Sequence, residues 1–519
     1  MDNQLATAAT KEKGLYRQGL GLVLWLDGDG TGAPARALFP LVSWAGQQGW
    51  PVAGGTGAGE LLKERGNLCT RLDDLASTAR SYIAAGMPVL ALTDRREVLT
   101  VFSAMEGAIP VLLCAEPSPL LEAANHLEIA DASALGPLCG ASAALPRYIL
   151  RLFLEGPEIW RFPIVERNTR FGEQARRRNG VWIFGAGTIG RQVQSACAPI
   201  GLPVHGFVDN DPSKQGQRLN DLPIVAPGWL DPHQDSVILA SGNYSSEIAA
   251  QLETLGFCYV QNLSEFFFAA CSPGQPEKEF ADDLRRRRIS YMGLYLSLGD
   301  ALSRECLNAI IGYRQSFDLR ILATLRQKGM PQWFDPAFFT PNPHHVFVDG
   351  GAFDGDTALT FIQRNGGPSQ AIHLFELDSE LAARAAMNLQ VHPTVSVHRC
   401  GLSDRPGTVH FCKTGMTDGR LGEAAGTQVR VDTVDNVVAE PITFLKLDVE
   451  GEEARALVGA SHHIRADAPL LAVAAYHNVG DIWALPRLIA RINPAYTFYL
   501  RHYTQTTYET VVYGVPHAR

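Results

Sequence analysis

VFVDGGAFDGDT, residues 346–357, is the stretch that decides how this chain folds. The apolar run Val346 to Val348 leads straight into Asp349, and Gly350, Gly351 and Gly355 follow before a helix opens near Thr357. A short apolar run closed by glycines predicts a buried strand that ends in a tight turn. Glycine is required where the backbone approaches a ligand closely or takes a positive φ. Open α/β sheets bind their ligands at the carboxyl ends of their strands. The stretch therefore predicts a ligand-binding strand–turn–helix. Asp349, Gly350, Gly351, Ala352, Gly355 and Thr357 are its binding residues.

Working outward, six further strands follow: AIHLFELD, VSVHRCGL, ITFLKLDV, PLLAVAAY, YTFYLRHY and ETVVYGVP. Helices separate the first five strands of this segment, and the last two strands lie close together. The second strand ends at Glu376, where an acid can accept both hydroxyl protons of a ribose, as in dinucleotide folds. The third ends in GLSD, so Ser403 or Asp404 can meet an adenine amino group. The fourth projects Asp448 and Glu450 from the same edge, and the fifth adds His477. The segment 405–436 reads as a hairpin or lid with a glycine-rich turn around Gly415 to Gly426, able to close over the sheet edge.

Five β/α units and a late hairpin are the order of the seven-stranded methyltransferase sheet. The chain resembles the FkbM-type methyltransferases, S-adenosylmethionine-dependent enzymes of the class I fold. VFVDGGAFDGDT, FELD, GLSD, FLKLDVEGEEARALVGA, YLRHYT and ETVVYGVP carry the resemblance. It covers about 340 to 516, and the lead-in phrases LGDALSRECLNAIIGYR and PQWF are also family-like. The resemblance implies that Asp349, Gly351 and Gly355 line the methionine and ribose region of the cofactor. Glu376 would bind the ribose, and Asp448 would sit near the sulfonium and its methyl. It implies transfer to hydroxyls of sugars, polyketides and related metabolites, without fixing the acceptor.

A hydroxyl acceptor has a high pKa and gains from a general base within hydrogen-bond reach. Asp448, Glu450 and His477 are the catalytic candidates. Each also has a plainer reading, because carboxylates cap helix N-termini and histidines are commonly hydrogen-bonded in place. The three can also hold a divalent ion through oxygen and imidazole ligands. Their spacing is no dedicated metal signature, and no metal is assigned.

A second glycine motif lies upstream. VWIFGAGTIGRQ, residues 181–192, places Gly185, Gly187 and Gly190 after a strand and before a helix. Asp209 ends the next strand, 19 residues after Gly190. That is the dinucleotide-binding fingerprint, with phosphate on the helix N-terminus. It resembles small nucleotide-binding domains attached to sugar-modifying enzymes. No Tyr-x-x-x-Lys pair follows, which disfavours a short-chain dehydrogenase. A nucleotide or nucleotide-sugar is the expected ligand, with NAD redox chemistry and a mere packing module as the alternatives.

Length and composition frame these motifs. The chain has 519 residues, enough for three to four domains, and 46% apolar with 19% charged residues is globular composition. The expected division is a tail at 1–16, an α/β domain at 17–145, a Rossmann-like nucleotide-binding domain at 146–275, a helical linker at 276–343 and the methyltransferase domain at 344–519. In the first of these domains GGTGAG (54–59) lacks the Gly-Lys-Ser/Thr of a P-loop and reads as a flexible turn. A net charge of −9 supplies no basic field for nucleic acid. No apolar stretch approaches 18 residues, so no membrane span is expected. Nine cysteines without a CxxC pair, and a start without an apolar signal core, predict a cytoplasmic protein. An oligomer is compatible with all of this. The fold expected is multidomain α/β with Rossmann-like parallel sheets. The function expected is O-methyl transfer to a sugar, a glycan precursor or a secondary metabolite. The alternative is a nucleotide-sugar-binding or NAD-dependent sugar-modifying protein centred on the middle motif, with a regulatory or inactive methyltransferase domain.

Overall fold

The structure is a computed structural model. It describes residues 162–271, 283–284, 286–323, 325, 331–413, 419–422 and 427–517, with short segments and single residues between 21 and 129. The chain divides into two compact units, Met1–Arg161 with Ala281–Gly312, and Phe162–Phe280 with Tyr313–Arg519. The expected helical linker is shared between them. It contains the helices Arg288–Ser297, Ala301–Ser316 and Leu319–Ala323.

The first unit holds a seven-stranded sheet built from Gly21–Trp25 (β1), Val52–Gly54 (β2), Asn67–Leu68 (β3), Val89–Thr93 (β4), Ala108–Leu113 (β5), Leu121–Ala123 (β6) and His126–Ile129 (β7). Its order is β3-β2-β1-β4-β5-β7-β6. The helix Leu72–Ala84 covers it through the buried residues Leu75, Ala76 and Ala79. Of GGTGAG, all but Gly54 lies outside the described residues.

The second unit opens with the middle sheet: Val181–Phe184 (β8), Val204–Val208 (β9), Arg218–Leu219 (β10), Leu222–Val225 (β11), Ser236–Leu239 (β12) and Tyr259–Gln261 (β13). The order is β10-β11-β9-β8-β12-β13, and β11, β9, β8, β12 and β13 run parallel. Strand order therefore reverses between β8 and β12, the switch point where such sheets bind ligands.

The third sheet contains Val346–Gly350 (β14), Ala371–Phe375 (β15), Val395–His398 (β16), Phe444–Leu447 (β21), Leu470–Ala474 (β22), Tyr496–His502 (β23) and Thr510–Pro516 (β24). Its order, β16-β15-β14-β21-β22-β24-β23, has five parallel strands and then β24 antiparallel to both β22 and β23. This is the seven-stranded arrangement expected. All five residues of β14 are buried, as a strand covered on both faces must be. Phe347 stacks on Phe361 of the helix Asp356–Arg364 at 4.4 Å between ring centroids, and Phe334 and Phe444 close the cluster.

One strand differs from expectation. The third strand stops at His398, and Gly401–Leu402 (β17) belongs to a separate four-stranded sheet with Gly407–Lys413 (β18), Gly419–Gly422 (β19) and Thr427–Asp432 (β20). The expected hairpin over 405–436 is thus part of a sheet, because β17 finds a parallel partner in β20. Residues 414–418 and 423–426 lie outside the described residues. Among the described residues, no helix is long and apolar enough to cross a membrane.

Candidate functional site

The glycine turn after β14 is sterically fixed. Gly351 has φ +76°, and a Cβ there would collide with the Asp448 carbonyl oxygen. Gly355, at φ +86°, starts the helix Asp356–Arg364. The backbone N–H groups of Gly351 and Ala352 both donate to Phe375 O, at 3.0 and 3.1 Å. The turn is therefore laid across the carboxyl end of β15. Ala352 is fully buried in the core, so this expected binding residue presents no surface to a ligand. Thr357 N donates to the Asp356 carboxylate at 2.7 Å.

Glu376 braces the same turn. Its two carboxylate oxygens accept N–H bonds from Phe353 at 2.9 Å and Asp378 at 2.8 Å. Burial pushes its pKa up, against the pull of those two bonds. Phe353 sits at φ +49°, a strained position for a residue with a side chain.

Beneath the turn lies a buried ion pair. Lys446 Nζ is 2.8 Å from Asp349 Oδ1 and donates to Gly351 O at 2.8 Å. Burial alone would lower the Lys446 pKa, but the Asp349 and Asp448 carboxylates outweigh it and hold the ammonium charged. Asp349 is 0% exposed. The structure thus puts it in the floor of the turn, supporting the loop, not on the turn's open surface.

The fourth and fifth strands deliver an acidic centre. Tyr476 OH donates to Asp448 Oδ1 at 2.9 Å. His477 Nε2 lies 3.6 Å from Asp448 Oδ1 and 3.4 Å from Glu450 Oε2. His477 Nδ1 meets Glu453 Oε1 at 2.9 Å, and the same oxygen accepts the Val449 N–H at 2.9 Å. Burial would lower the His477 pKa. The bond to Glu453 and the fields of Glu453, Asp448 and Glu450 overcome that and lift it to about 9. Glu450 and Glu509 hold left-handed backbone at φ +56° and +63°. Glu509, which accepts a bond from Gln332, is raised to about 7 by burial and by Asp448.

The predicted residues Asp448, Glu450 and His477 are therefore brought together. Lys446, Glu453, Tyr476 and Glu509 were not singled out from sequence. Tyr476 and Glu453 had a signal, since they adjoin His477 and Glu450 in the quoted motifs. Glu509 opens the quoted motif ETVVYGVP, but only the antiparallel return of β24 carries it to Asp448. Asp448, Glu453 and His477 can each offer one atom to a cation, all within 4.8 Å of one another. Glu453 thus takes the place sequence reasoning gave to Glu450 in such a set.

The GLSD turn does not present its serine. Ser403 is 0% exposed, and its carbonyl packs so closely on Gly459 that no Cβ fits there. Ser403 Oγ donates to Asp404 at 3.2 Å, and Asp404 binds Arg455 at 2.8 Å. That bond holds the Asp404 carboxyl below its usual range.

In the middle domain Gly185 has φ +124°, and a Cβ would lie 2.6 Å from Ala240 O. Gly190 lets the helix Thr188–Cys197 press against the Gly185 carbonyl, while nothing lies within 4 Å of a Cβ built on Gly187. Asp209 accepts the Ala186 N–H at 3.0 Å and pairs with Lys214 at 2.9 Å. Burial opposes ionisation of Asp209, but these bonds and one from Asp211 N keep its pKa low.

Residues 349–500 match the family model for the methyltransferase FkbM domain, as the motifs implied. No curated protein matches the chain. Among solved structures, the methyltransferase FkbM from Methylobacillus flagellatus KT aligns at 20% identity over 69% of this chain and 100% of its own, with a TM-score of 0.52. That likeness shows the fold. A SAM-dependent methyltransferase from Aquifex aeolicus aligns at 11% identity over 38% of this chain and 98% of its own, with a TM-score of 0.24, and supports no argument. The chain carries a methyltransferase domain of the FkbM type.

Proposed function

We propose that this methyltransferase uses S-adenosylmethionine to methylate a hydroxyl of a sugar or small metabolite, with Asp448 as the base. The observation that carries the reading is the position of Asp448. Its backbone carbonyl abuts Gly351 of the glycine turn, and its carboxylate receives Tyr476 OH at 2.9 Å. The turn fits the cofactor, because Glu376 stands at its rim and Gly351 lets the turn lie flush against Asp448. When bound, S-adenosylmethionine supplies an electrophilic methyl, whose carbon–sulfur bond breaks as the acceptor oxygen takes the carbon.

The residues of this chain position and deprotonate. Glu376 receives the ribose hydroxyls, and Gly351 and Thr357 border the cofactor, while Gly350 and Gly355 are buried against Leu402, Leu447 and Leu389 and let the turn pack closely. Asp448 accepts the proton of the acceptor hydroxyl. His477, protonated at neutral pH by its three carboxylate neighbours, places a cation beside Asp448 and is a poor base itself. Tyr476 fixes which Asp448 oxygen faces the acceptor.

In the same reading the middle domain holds a nucleotide or nucleotide-sugar. The space at Gly187 is what a phosphate against a helix N-terminus needs. The protein works in the cytoplasm, where its thiols stay reduced.

Methyl-labelled S-adenosylmethionine tests the reading. Label should enter base-stable ether linkage on a hydroxyl compound. Label found only on amines or in base-labile esters would overturn the hydroxyl assignment.

A further inference from the structure

The turn between β23 and β24, residues 503–509, is unlike an ordinary surface loop. Gln505 and Thr506 at its tip are each only 2% exposed. Gln505 N–H donates to Gly242 O at 3.0 Å, and Gln505 Oε1 accepts the Ser246 N–H at 2.7 Å. Thr507 N–H donates to Ser264 Oγ at 3.1 Å. All three partners belong to the middle domain, which lies in the same compact unit. Ser246 is in the first turn of the helix Ser245–Thr254, whose own cap residue makes no side-chain bond. A methyltransferase side chain therefore caps a middle-domain helix.

Those contacts fall at the ligand edge of the middle sheet. Gly242 follows the carboxyl end of β12, and a Cβ on it would lie 3.8 Å from Ile189 in the first turn of the helix Thr188–Cys197. Arg191, one residue past Gly190, has a buried Nε with no hydrogen-bond partner among the described residues. Its Nη2 donates to Thr188 Oγ1 at 3.4 Å, so the guanidinium stands over the first turn of this helix and places a positive charge beside the glycine turn.

The other end of the same turn reaches the methyl-transfer centre. The Tyr508 ring lies 6.0 Å from Tyr476, and Glu509 bears on Asp448. Gln505 and Glu509 are four residues apart, at most about 14 Å of chain. Bonds from Thr504 Oγ1 to Tyr508 O at 2.8 Å and from Tyr503 N to Glu509 O at 3.1 Å brace the turn internally. The two sheet edges thus share one stiff wall.

We propose that the two edges form one composite acceptor site. The Gly185–Gly190 crevice holds the diphosphate of a nucleoside-diphosphate sugar, and the sugar passes the 503–509 turn to present a hydroxyl to Asp448. This rests on the methyl-transfer reading above and names its substrate class. Base identity is not read by the residues described, so the probe set must span bases.

Hydrogen exchange on the full chain tests it, with UDP-glucose, GDP-mannose and ADP-glucose as probes. At least one probe should slow exchange about fivefold or more both at 185–191 and at 503–509. Gly187→Val should abolish both protections, and its melting curve should stay that of the parent because the new side chain enters open space. Protection confined to 185–191, protection only at 349–357, protection that survives Gly187→Val, or no protection by any probe overturns the proposal. S-adenosylmethionine alone, added in parallel, should protect 349–357. Failure of that arm counts against the methyl-transfer reading and not against the crevice.

Discussion

His477 Nδ1 and Glu453 Oε1 stand 2.9 Å apart, and Glu453 is 1% exposed. The buried carboxylate accepts the imidazole N–H, turns Nε2 toward Asp448 and Glu450, and ties the ring to the 448–451 turn through Val449 N. One Glu453 oxygen thus fixes both the imidazole and the 448–451 turn.

The first prediction concerns pH. The folded His477 pKa of about 9 exceeds its ordinary 6.5. A raised pKa stabilises the fold fully below about pH 6.5, and that stabilisation disappears as pH rises through 9. The loss is on the order of 3 kcal/mol. Glu453→Gln removes the main upward pull, so NMR titration should show the His477 pKa falling. Thermal melts of the variant should lose their dependence on pH between 6.5 and 9. An unmoved His477 titration would remove Glu453 from this role.

Asp448 carries the second. Asp448→Asn keeps the shape and should lower turnover by about 10²–10⁴-fold, the usual contribution of a positioned base. S-adenosylmethionine affinity, measured by calorimetry, should change far less. Tyr476→Phe removes one hydrogen bond to the Asp448 carboxylate. It should cost about 1.5–3 kcal/mol, or roughly 10- to 160-fold in turnover. A fully active Asp448→Asn enzyme would shift the search to Glu509 and Glu450.

Glu376→Ala should weaken S-adenosylmethionine binding by about 1.5–3 kcal/mol, the scale for a hydrogen bond to a charged group. Because Glu376 also receives Phe353 N–H and Asp378 N–H, a drop in melting temperature should accompany it. Glu376→Gln, which retains one acceptor oxygen, should fall between the two in both measurements. Equal cofactor dissociation constants in all three proteins would exclude a ribose contact.

The Asp349–Lys446 pair makes a stability prediction. Lys446→Met strands a buried carboxylate and should destabilise by about 3–5 kcal/mol in denaturant melts. Asp349→Leu combined with Lys446→Met should recover much of that loss, because no lone charge remains. Additive damage in the double variant would show that the two groups do not act as a pair.

The sequence by itself determined the seven-stranded C-terminal sheet and the edge to which the candidate residues belong. VFVDGGAFDGDT and FGAGTIG are local patterns: an apolar run long enough to be a buried strand, then glycines that only a tight turn requires. The five β/α units and late hairpin followed from spacing, so Asp448, Glu450 and His477 could be assigned to one edge before any coordinates. Burial and long-range pairing were decided only by the tertiary structure. Asp349 and Ser403 are polar residues beside a ligand turn, and nothing local says that one becomes the floor under Lys446 and the other packs against Gly459. The third strand stops early because β17 pairs with β20, some 30 residues downstream, a register no local pattern encodes. Glu509 joins Asp448 because β24 inserts antiparallel between β22 and β23. Gln505 caps a helix whose first residue lies 260 positions upstream, because a polar turn buried at a domain contact must find partners for its backbone and amide wherever the fold supplies them.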